Sequence, residues 1–451
     1  MYQRNNPITS EKDWVLIWLY IIICFIGLVC IFSVEYRIND NLLKSLVALE
    51  KNYSKQLFFM GIGAILATFI LLTDSKFFTA TPNILYVVGI LLMALTFVIG
   101  KNVNGSKSWI PLGFMNLQPV ETCKIFTALA LAKYLSRPET DFTKPRSQLI
   151  AASICFLPVI FSLLQNETGL ALVYFAFLLP MYREGFPPIY LILGASFGVL
   201  LVLSLLFPTI QLMVGLSILA AVILYFLKRK IKRSKSIITV VVLAWGISIA
   251  FVGLAVPFMF KFVFQKYQAD RIFSLVGRDN PYVSIDSTLT ATTVPLNTGK
   301  KSKGDNENYN VKQSKIAIGS GGFLGKGFLK GTQTQGDFVP EQHTDFIFTS
   351  LGENFGFAGS TLLMLLYLAM LLRIVTIAER QRSTFSRVYA YSVAAIIFFH
   401  VAINIGMTIG LAPVIGITLP LMSYGGSSLL TFTILIFILI RLDADRQMVL
   451  R

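Results

Sequence analysis

Apolar runs long enough to cross a lipid bilayer recur along the whole chain, and they constrain its fold more than any other feature. A helix needs about 20 apolar residues to cross the hydrocarbon core of a membrane. The chain has 451 residues, of which 55% are hydrophobic and only 14% charged, and its mean hydropathy is +0.69. A soluble domain cannot bury that much apolar surface. The sequence therefore predicts an all-α, polytopic integral membrane protein, folded as a single domain over 1–451.

We expect about ten to twelve transmembrane helices on this length criterion. The runs lie at 14–33, 57–73, 84–100, 118–135, 148–164, 167–184, 188–207, 209–228, 236–260, 343–372, 387–411 and 420–441. The first run is longer than the core of a cleavable signal peptide and no small-residue cleavage site follows it, so we expect it to stay as a helix.

Lysine and arginine cluster in loops that all fall on one side of the membrane if this helix count is right. The clustered residues are Lys133, Arg137, Lys144, Arg146, Lys228, Arg229, Lys230, Lys232, Arg233, Lys235, Arg373, Arg380, Arg382 and Arg387. The positive-inside rule makes that side cytoplasmic. Both termini are then cytoplasmic. The long segment 262–342 is predicted to be a large extracytoplasmic loop, and the short loops 165–168 and 412–419 face the same side.

Charge, cysteine and histidine usage exclude several classes of function. The formal charge of +16 comes largely from short cytoplasmic loops, where anionic lipid headgroups and topology explain it better than nucleic acid does. The four cysteines lie inside apolar runs and match no metal-binding spacing, so they are expected to pack in the core. With only two histidines, a histidine metal site is not predicted. No internal repeat is visible, which weakly disfavours an inverted-repeat transporter.

A stretch from Gln313 to Glu353 is the longest part of the chain that is neither apolar nor rich in charge. It holds glycines at 319, 321, 322, 325, 327, 331 and 336, followed by Glu341-Gln342-His343-Thr344-Asp345 at the start of an apolar run. Glycine lets a backbone fold closely on itself or on a ligand. Ionisable groups at the mouth of a membrane helix usually have a functional reason. The stretch is therefore predicted to form a site. The spacing of Gly321, Gly325 and Lys326 does not fit a phosphate-binding loop, and we reject a nucleotide site.

Three further polar clusters map to the predicted outer side. The first is 104–109 with 118–124, where Pro119 is placed to begin a helix and Glu121 and Lys124 share one helix face. The others are 165–169 and 420–428. Glu121 and Lys124 could be an interfacial ion pair beside Trp109 as an aromatic anchor, or could line an outward-facing charged pocket. The meeting of four clusters on one side favours an extracytoplasmic active site.

At these clusters the sequence resembles the RodA/FtsW family, also called SEDS proteins, and is most similar to its elongation branch. The resemblance is carried by NGSKSWIPLG at 104–113, QPVETCK at 118–124, KQSKIAIGSGG at 312–322, GTQTQGDFVPEQHTDFIF at 331–348 and NIGMTIGLAPVIGITLPLMSYGGSSL at 404–429. The family normally has ten transmembrane helices. The higher count here would be explained by an extra helical hairpin near 209–260 with a basic cytoplasmic turn.

The resemblance implies an inverting peptidoglycan glycosyltransferase of the bacterial cytoplasmic (inner) membrane. Such enzymes polymerise lipid II, the undecaprenyl-pyrophosphate-linked disaccharide-pentapeptide, into glycan strands for cell elongation, shape and division. They work with a class B penicillin-binding protein, a transpeptidase. We therefore expect three kinds of partner: that transpeptidase, lipid II with the undecaprenyl-pyrophosphate-linked glycan, and the lipid membrane itself. No cofactor is assigned, and a requirement for a divalent cation stays open.

The resemblance also implies which residues form the site. The predicted substrate-binding residues are Lys107, Trp109, Glu121, Lys124, Arg271, Gln313, Ser314, Glu341, His343, Thr344, Asp345 and Ser423. Of these, Lys107, Lys124 and Arg271 could hold the pyrophosphate by charge-assisted hydrogen bonds. No metal ligand is predicted.

More than one aspartate could be the counterpart of the family's catalytic residue. The family has a short Asp-Pro-x-Gly-x-Gly-Tyr run after the arginine that matches Arg271, whereas this chain carries an insertion between Arg271 and Tyr309. Asp279 follows Arg271 at nearly the family's separation and is preferred, Asp305 is the second candidate, and Asp286 stays open. A carboxylate there would act as general base toward the acceptor sugar's 4-hydroxyl.

Two other classes of function remain open on the sequence alone. A lipid II flippase or transporter would also present polar helix ends to the outside, although its ionisable groups should lie mid-membrane along a route between the leaflets. A non-catalytic scaffold for a transpeptidase is suggested by the interrupted aspartate motif.

Overall fold

The computed structural model describes residues 12–37, 44–45, 48–103, 106–113, 115–231, 236–263, 269, 273 and 303–446. The chain divides into two compact units. The first comprises Met1–Phe186 and Asn310–Arg451, and the second comprises Pro187–Tyr309. The prediction of a single domain over 1–451 stays a prediction.

The first unit is a helical bundle with a small sheet at one end. Its first half contains α1 (Trp14–Glu35), α2 (Asn52–Leu72), α3 (Ser75–Ala80), α4 (Pro82–Ile99), α5 (Pro119–Leu135), α6 (Pro145–Leu164), α7 (Thr168–Val173), a 3₁₀ turn (Tyr174–Phe177) and α8 (Leu178–Arg183). Its second half contains α13 (Thr332–Gln335), α14 (Ile347–Glu379), α15 (Thr384–Thr408) and α16 (Gly426–Ala444). α12 (Lys303–Ser320) begins in the second unit and ends in the first.

Between α4 and α5 the chain forms a three-stranded antiparallel sheet, which the sequence did not indicate. Its strands are β1 (Lys101–Val103), β2 (Ser106–Pro111) and β3 (Asn116–Leu117), in the order β1-β2-β3. The strands are short, and this is the region where the sequence predicted a polar outer loop.

The second unit is made mainly of three long apolar helices. They are α9 (Pro188–Leu206), α10 (Thr209–Ile231) and α11 (Ser236–Ala250), the last continuing as Phe251–Ala255, Val256–Phe258 and Met259–Val263 with π-helical turns. Trp245 donates its indole N–H to Ser217 at 3.1 Å, which joins α10 and α11. That α10 and α11 are an extra hairpin relative to the family stays a prediction.

The predicted fold class is confirmed. Ten helices in the described part of the chain are long and apolar enough to cross a membrane, and Thr168–Arg183 is a shorter apolar helix. α5, at 17 residues, also matches a predicted run. The boundaries agree because proline begins α4, α5, α6 and α9, at the position where its missing N–H costs nothing.

One end of the first unit is held by ion pairs. The Asp13 carboxylate forms ion pairs with Arg373 at 2.8 Å and with Arg380 at 2.9 Å, and Arg380 also pairs with Asp443. Burial alone would raise the pKa of Asp13, but the hydrogen bonds and positive charges of the two arginines bring it below its usual value. The pairs join the start of α1 to the C-terminal ends of α14 and α16. This end carries the arginines that the sequence assigned to the cytoplasm.

α14 is kinked at Gly356, where the chain has φ 63° and ψ −158°. Only glycine adopts that backbone region without strain. A Cβ at this position would lie 2.3 Å from the backbone nitrogen of Gly325 and 2.8 Å from the carbonyl oxygen of Gly322. Beyond the kink, the N–H groups of Phe357 and Ala358 donate to the carbonyls of Gly322 and Phe323, each at 2.9 Å. The glycine-rich stretch therefore caps the second half of α14.

We expect Gly356→Ala to destabilise the protein by about 1–3 kcal/mol or more, because it adds backbone strain and a collision with the capping loop. Thermal unfolding in detergent measures the change. Gly61→Ala is the matched control, since Gly61 lies within α2 and a Cβ there meets no atom within 4 Å. An equal melting temperature for the two variants would contradict the assigned role of the kink.

Candidate active site

Glu167 fixes the small sheet to the loop between α6 and α7. Its Oε1 accepts hydrogen bonds from Ser106 at 2.8 Å, from Ser108 at 2.5 Å and from the amide of Gln118 at 3.4 Å. Burial raises the pKa of the Glu167 carboxyl, the three hydrogen bonds oppose that rise, and the nearby Glu121 adds to it. The carboxyl is thus a structural clamp between two of the predicted polar clusters. The sequence analysis included Glu167 only as a member of the polar cluster 165–169.

Lys107 lies on the opposite face of β2 from this clamp. Side chains alternate across a strand, so with Ser106 and Ser108 buried, Lys107 is exposed and Trp109 is half-buried. The clamp therefore orients Lys107 outward, where an anionic ligand could reach it.

Glu121 and Lys124 form an ion pair of 2.8 Å on α5. Their spacing predicts this contact, but the sequence placed the pair at an outward-facing surface. In the structure both side chains are almost completely buried. The reason is that α15 and α16 cover this face of α5. The Lys124 ammonium also contacts Nε2 of His400 on α15 at 2.7 Å and lies over the ring of Phe432 on α16 at 5.5 Å.

His400 is a residue that the sequence analysis missed as part of the site. The signal was available, since it is a lone polar residue inside the apolar run that precedes Asn404. A single histidine in such a run is more often a packed core residue, and only the fold shows that it meets Lys124.

The loop between α15 and α16 holds the run 341–345 in place. Asn404 donates to the carbonyl oxygens of Asp345 at 2.8 Å and of Ile417 at 2.6 Å. The Ser423 hydroxyl donates to the Thr344 carbonyl at 2.7 Å and accepts from the N–H of Leu419 at 2.8 Å. The side chain of Ser423 thus joins its loop to the backbone of Thr344, almost eighty residues earlier in the chain.

Four of the five side chains of 341–345 are at least partly exposed, whereas Gln342 is buried. His343, Thr344 and Asp345 are partly exposed and Glu341 is exposed. The His343 ring lies 5.9 Å from that of Tyr424, and the Thr344 hydroxyl donates to the Glu341 carboxylate at 3.0 Å. This surface can take part in binding at this end of the bundle.

Ser314 and Gln313 lie near the end of α12. Ser314 is fully buried, with its hydroxyl 2.6 Å from that of Thr349 and donating to the Thr408 carbonyl at 2.9 Å. It therefore docks α12 against α14 and α15. Gln313 is half-buried.

The glycine-rich stretch encloses Glu353, which is fully buried near the start of α14. The Glu353 carboxylate accepts from Lys326 at 2.7 Å and from the N–H groups of Gln333 at 2.9 Å and Thr334 at 2.8 Å. A Cβ on Gly331 would lie 2.8 Å from Glu353 Oε2. In the structure these glycines let the chain fold closely onto itself. The negative charge sits at the N-terminus of the short helix α13, where helix N–H groups are unpaired.

Four predicted residues fall on parts of the chain that the structure does not fully describe. Arg271, Asp279 and Asp286 lie outside the described residues, and so does the side chain of Asp305, whose backbone is in the first turn of α12. Within the described ranges, no three His, Cys, Asp or Glu side chains gather as metal ligands would.

The fold and this geometry define a class: a multi-pass membrane protein in which segments distant in sequence build a hydrogen-bonded polar region at one end of the bundle. The particular family follows from comparison. The family model described as "Cell cycle protein", labelled with FtsW, RodA and SpoVE, matches residues 13–448. The chain belongs to this family, which confirms the resemblance seen in its motifs.

Two curated relatives illustrate the similarity. Peptidoglycan glycosyltransferase MrdB of Escherichia coli (strain K12) is 30% identical over 369 residues, covering 81% of this chain and 78% of its own. Peptidoglycan glycosyltransferase RodA of Treponema pallidum (strain Nichols) is 30% identical over 447 residues, covering 96% and 98%.

Solved structures agree with the fold. A chain from a study of "structural coordination of polymerization and crosslinking by a peptidoglycan synthase complex" matches with a TM-score of 0.65 at 25% identity, covering 97% of this chain and 99% of that one. The crystal structure of Thermus thermophilus RodA matches with a TM-score of 0.60 at 22% identity, covering 98% and 100%.

Proposed function

We propose that this protein is a peptidoglycan glycosyltransferase that polymerises lipid II into glycan strands at the outer side of the cytoplasmic membrane. The enzyme class predicted from the sequence is confirmed by the names of its relatives in E. coli and T. pallidum. The observation that carries the proposal is the meeting of 106–111, 118–124, 341–345 and 416–428 at one end of a membrane-spanning bundle.

In the proposed reaction the 4-hydroxyl oxygen of the acceptor sugar bonds to the anomeric carbon of the donor. The bond from that carbon to the pyrophosphate oxygen breaks, its electron pair leaves with the pyrophosphate, and the hydroxyl proton passes to a carboxylate base. Both substrates are held by lipid anchors, so fixing their orientation supplies much of the rate. A rigid frame that does not reorganise during the reaction suits this task.

The chain's own residues divide this work. Lys107, exposed on β2, is proposed to attract the pyrophosphate, together with Arg271. The buried Glu121–Lys124 pair is proposed to supply a fixed electrostatic environment beneath the site. Asp279 is proposed as the base, and 341–345 as part of the sugar-binding surface.

A flippase is less consistent with the charge distribution. In the candidate membrane spans of the first unit and in α5, the described Lys, Arg, Asp and Glu side chains lie within about two turns of a helix end. A lipid-transport route would need such groups near the middle of the membrane.

Purified protein combined with a class B penicillin-binding protein and lipid II tests the proposal. We expect a glycan polymer that depends on this chain. Transfer of lipid II between leaflets without polymer would overturn the proposal in favour of transport. The partner is proposed because the neighbour described as a peptidoglycan synthase complex coordinates polymerization and crosslinking.

We propose that both termini are cytoplasmic and that 262–342 and 101–117 are extracytoplasmic. Ser302→Cys should then react with a membrane-impermeant maleimide in intact cells, while Arg382→Cys, in the loop between α14 and α15, should react only after the cells are opened. The background is low because the four native cysteines are buried. Protection of position 302 together with labelling of 382 would invert the orientation.

A further inference from the structure

His400 uses both nitrogens of its buried ring. Nε2 lies 2.7 Å from the Nζ of Lys124, and Nδ1 lies 3.1 Å from the carbonyl oxygen of Thr418. His400 is 0% exposed, as is Lys124. A buried histidine with two polar contacts is more than a space-filling residue, because each contact demands a defined proton position.

The contacts fix the tautomer. A carbonyl oxygen can only accept, so Nδ1 must carry the proton and donate it to Thr418. If Nε2 also carried a proton, an imidazolium would face the Lys124 amine with two donors at 2.7 Å. Nε2 therefore presents its lone pair and accepts a hydrogen bond from Lys124, and the ring is neutral.

The same geometry assigns the lysine. The Lys124 Nζ lies 2.7 Å from Nε2 of His400, forms an ion pair with Oε2 of Glu121 at 2.8 Å, and lies over the Phe432 ring at 5.5 Å. A nitrogen lone pair, a carboxylate and an aromatic face each attract an ammonium ion. Removing one partner would leave part of a buried charge uncompensated.

His400 also connects this charge to the loop that holds the outer surface. Thr418, whose carbonyl oxygen accepts the hydrogen bond from Nδ1–H, has its hydroxyl 2.9 Å from that of Ser428 at the start of α16. The adjacent Leu419 N–H donates to Ser423, whose hydroxyl donates to the Thr344 carbonyl. An unbroken series of contacts thus runs from Lys124 to the run 341–345.

We propose that His400 is a positioning residue of the glycosyltransferase site: it aims the Lys124 ammonium and couples it to the loop that carries Ser423. The expected effect of His400 on turnover rests on the proposed function, whereas the assignment of its tautomer does not. His400 does not touch substrate in this arrangement, and it acts through Lys124.

The tautomer can be read directly. The protein has only two histidines, so ring-¹⁵N-histidine labelling gives two ring systems, and His343→Gln assigns them. We expect His400 to show a protonated Nδ1 and an unprotonated Nε2, and the double variant Glu121→Gln with Lys124→Met to shift the Nε2 signal while Nδ1 stays protonated. A ring protonated at Nε2 would overturn the proposal whether or not the protein polymerises lipid II.

Activity variants separate the two contacts. His400→Leu removes both and should lower kcat roughly 10- to 100-fold, the effect of one hydrogen bond to a charged group. His400→Gln, whose amide oxygen reaches the position of Nε2, should keep most of the activity, whereas the shorter His400→Asn should not. Equal activity of the Leu and Gln variants would overturn the proposal. Ser392→Ala is the matched control. Ser392 lies on the same helix, about two turns before His400, and its buried hydroxyl donates to the carbonyl oxygen of Val388. This variant should be fully active.

Discussion

The double variant Glu121→Gln with Lys124→Met is expected to fold and to lose polymerisation by roughly 10²–10³-fold, the cost of removing a preorganised electrostatic group. Both side chains are buried and 2.8 Å apart. Breaking such a pair on one side leaves an uncompensated charge and costs about 3–5 kcal/mol, but replacing both partners together is often neutral. Each single variant should therefore be unstable as well as inactive, and the double variant should regain most of the stability without the activity.

The measurement is lipid II polymerisation beside thermal unfolding for all three variants. The matched control is Arg183→Met with Glu379→Gln at the other end of the bundle, a pair whose side chains are 51% and 52% exposed. Exposed pairs contribute about 0–1 kcal/mol, so this control should change little in either assay. Near-normal polymerisation by the stable Glu121–Lys124 double variant would return the pair to a purely structural role.

The membrane helices could be predicted because each signal is local. The length of an apolar run and the proline at its start are read directly from the sequence, and α4, α5, α6 and α9 begin where proline allows. The Glu121–Lys124 contact was predictable for the same reason, since it depends only on the three-residue spacing within α5.

The environment of that pair could not be predicted in this way. Whether Glu121 and Lys124 face outward or inward depends on α15 and α16, more than 270 residues further along the chain. No local sequence pattern identifies His400 as the partner of Lys124, because His400 resembles a core residue until α15 is packed on α5. The sequence therefore predicted the contact between Glu121 and Lys124 but not its burial.

The glycine-rich stretch shows the opposite case, a strong local signal with more than one physical meaning. Close approach was predicted, and it occurs at Gly325 and Gly331, where the neighbours are the backbone of α14 and the side chain of Glu353. The small sheet was missed because its strands are short. The contact of Glu167 with that sheet was missed because the carboxylate comes from another loop. Contacts between loops that are distant in the chain produce no periodic pattern in the sequence.

Asp279→Asn is expected to lower polymerisation by roughly 10²–10⁴-fold, because asparagine keeps the shape of the side chain and removes its basicity. Asp279 lies eight residues after Arg271, whose charge could keep the carboxylate ionised or bind the pyrophosphate beside it. The comparison variant is Asp305→Asn. Lys303 and Glu307 surround Asp305 in the sequence, which favours a solvated face, so this variant should keep most of its activity.

Initial rates of lipid II polymerisation by the two variants decide between the candidates, with membrane abundance measured beside them so that lost protein is not scored as lost catalysis. Since a general base must be ionised, Asp279→Glu should recover part of the rate that Asp279→Asn loses, which a purely structural aspartate would not require. An inactive Asp305→Asn beside an active Asp279→Asn would move the base across the insertion to the first turn of α12. Activity in both asparagine variants would direct attention to Asp286 or, if polymer also forms without this chain, to a scaffold for the transpeptidase.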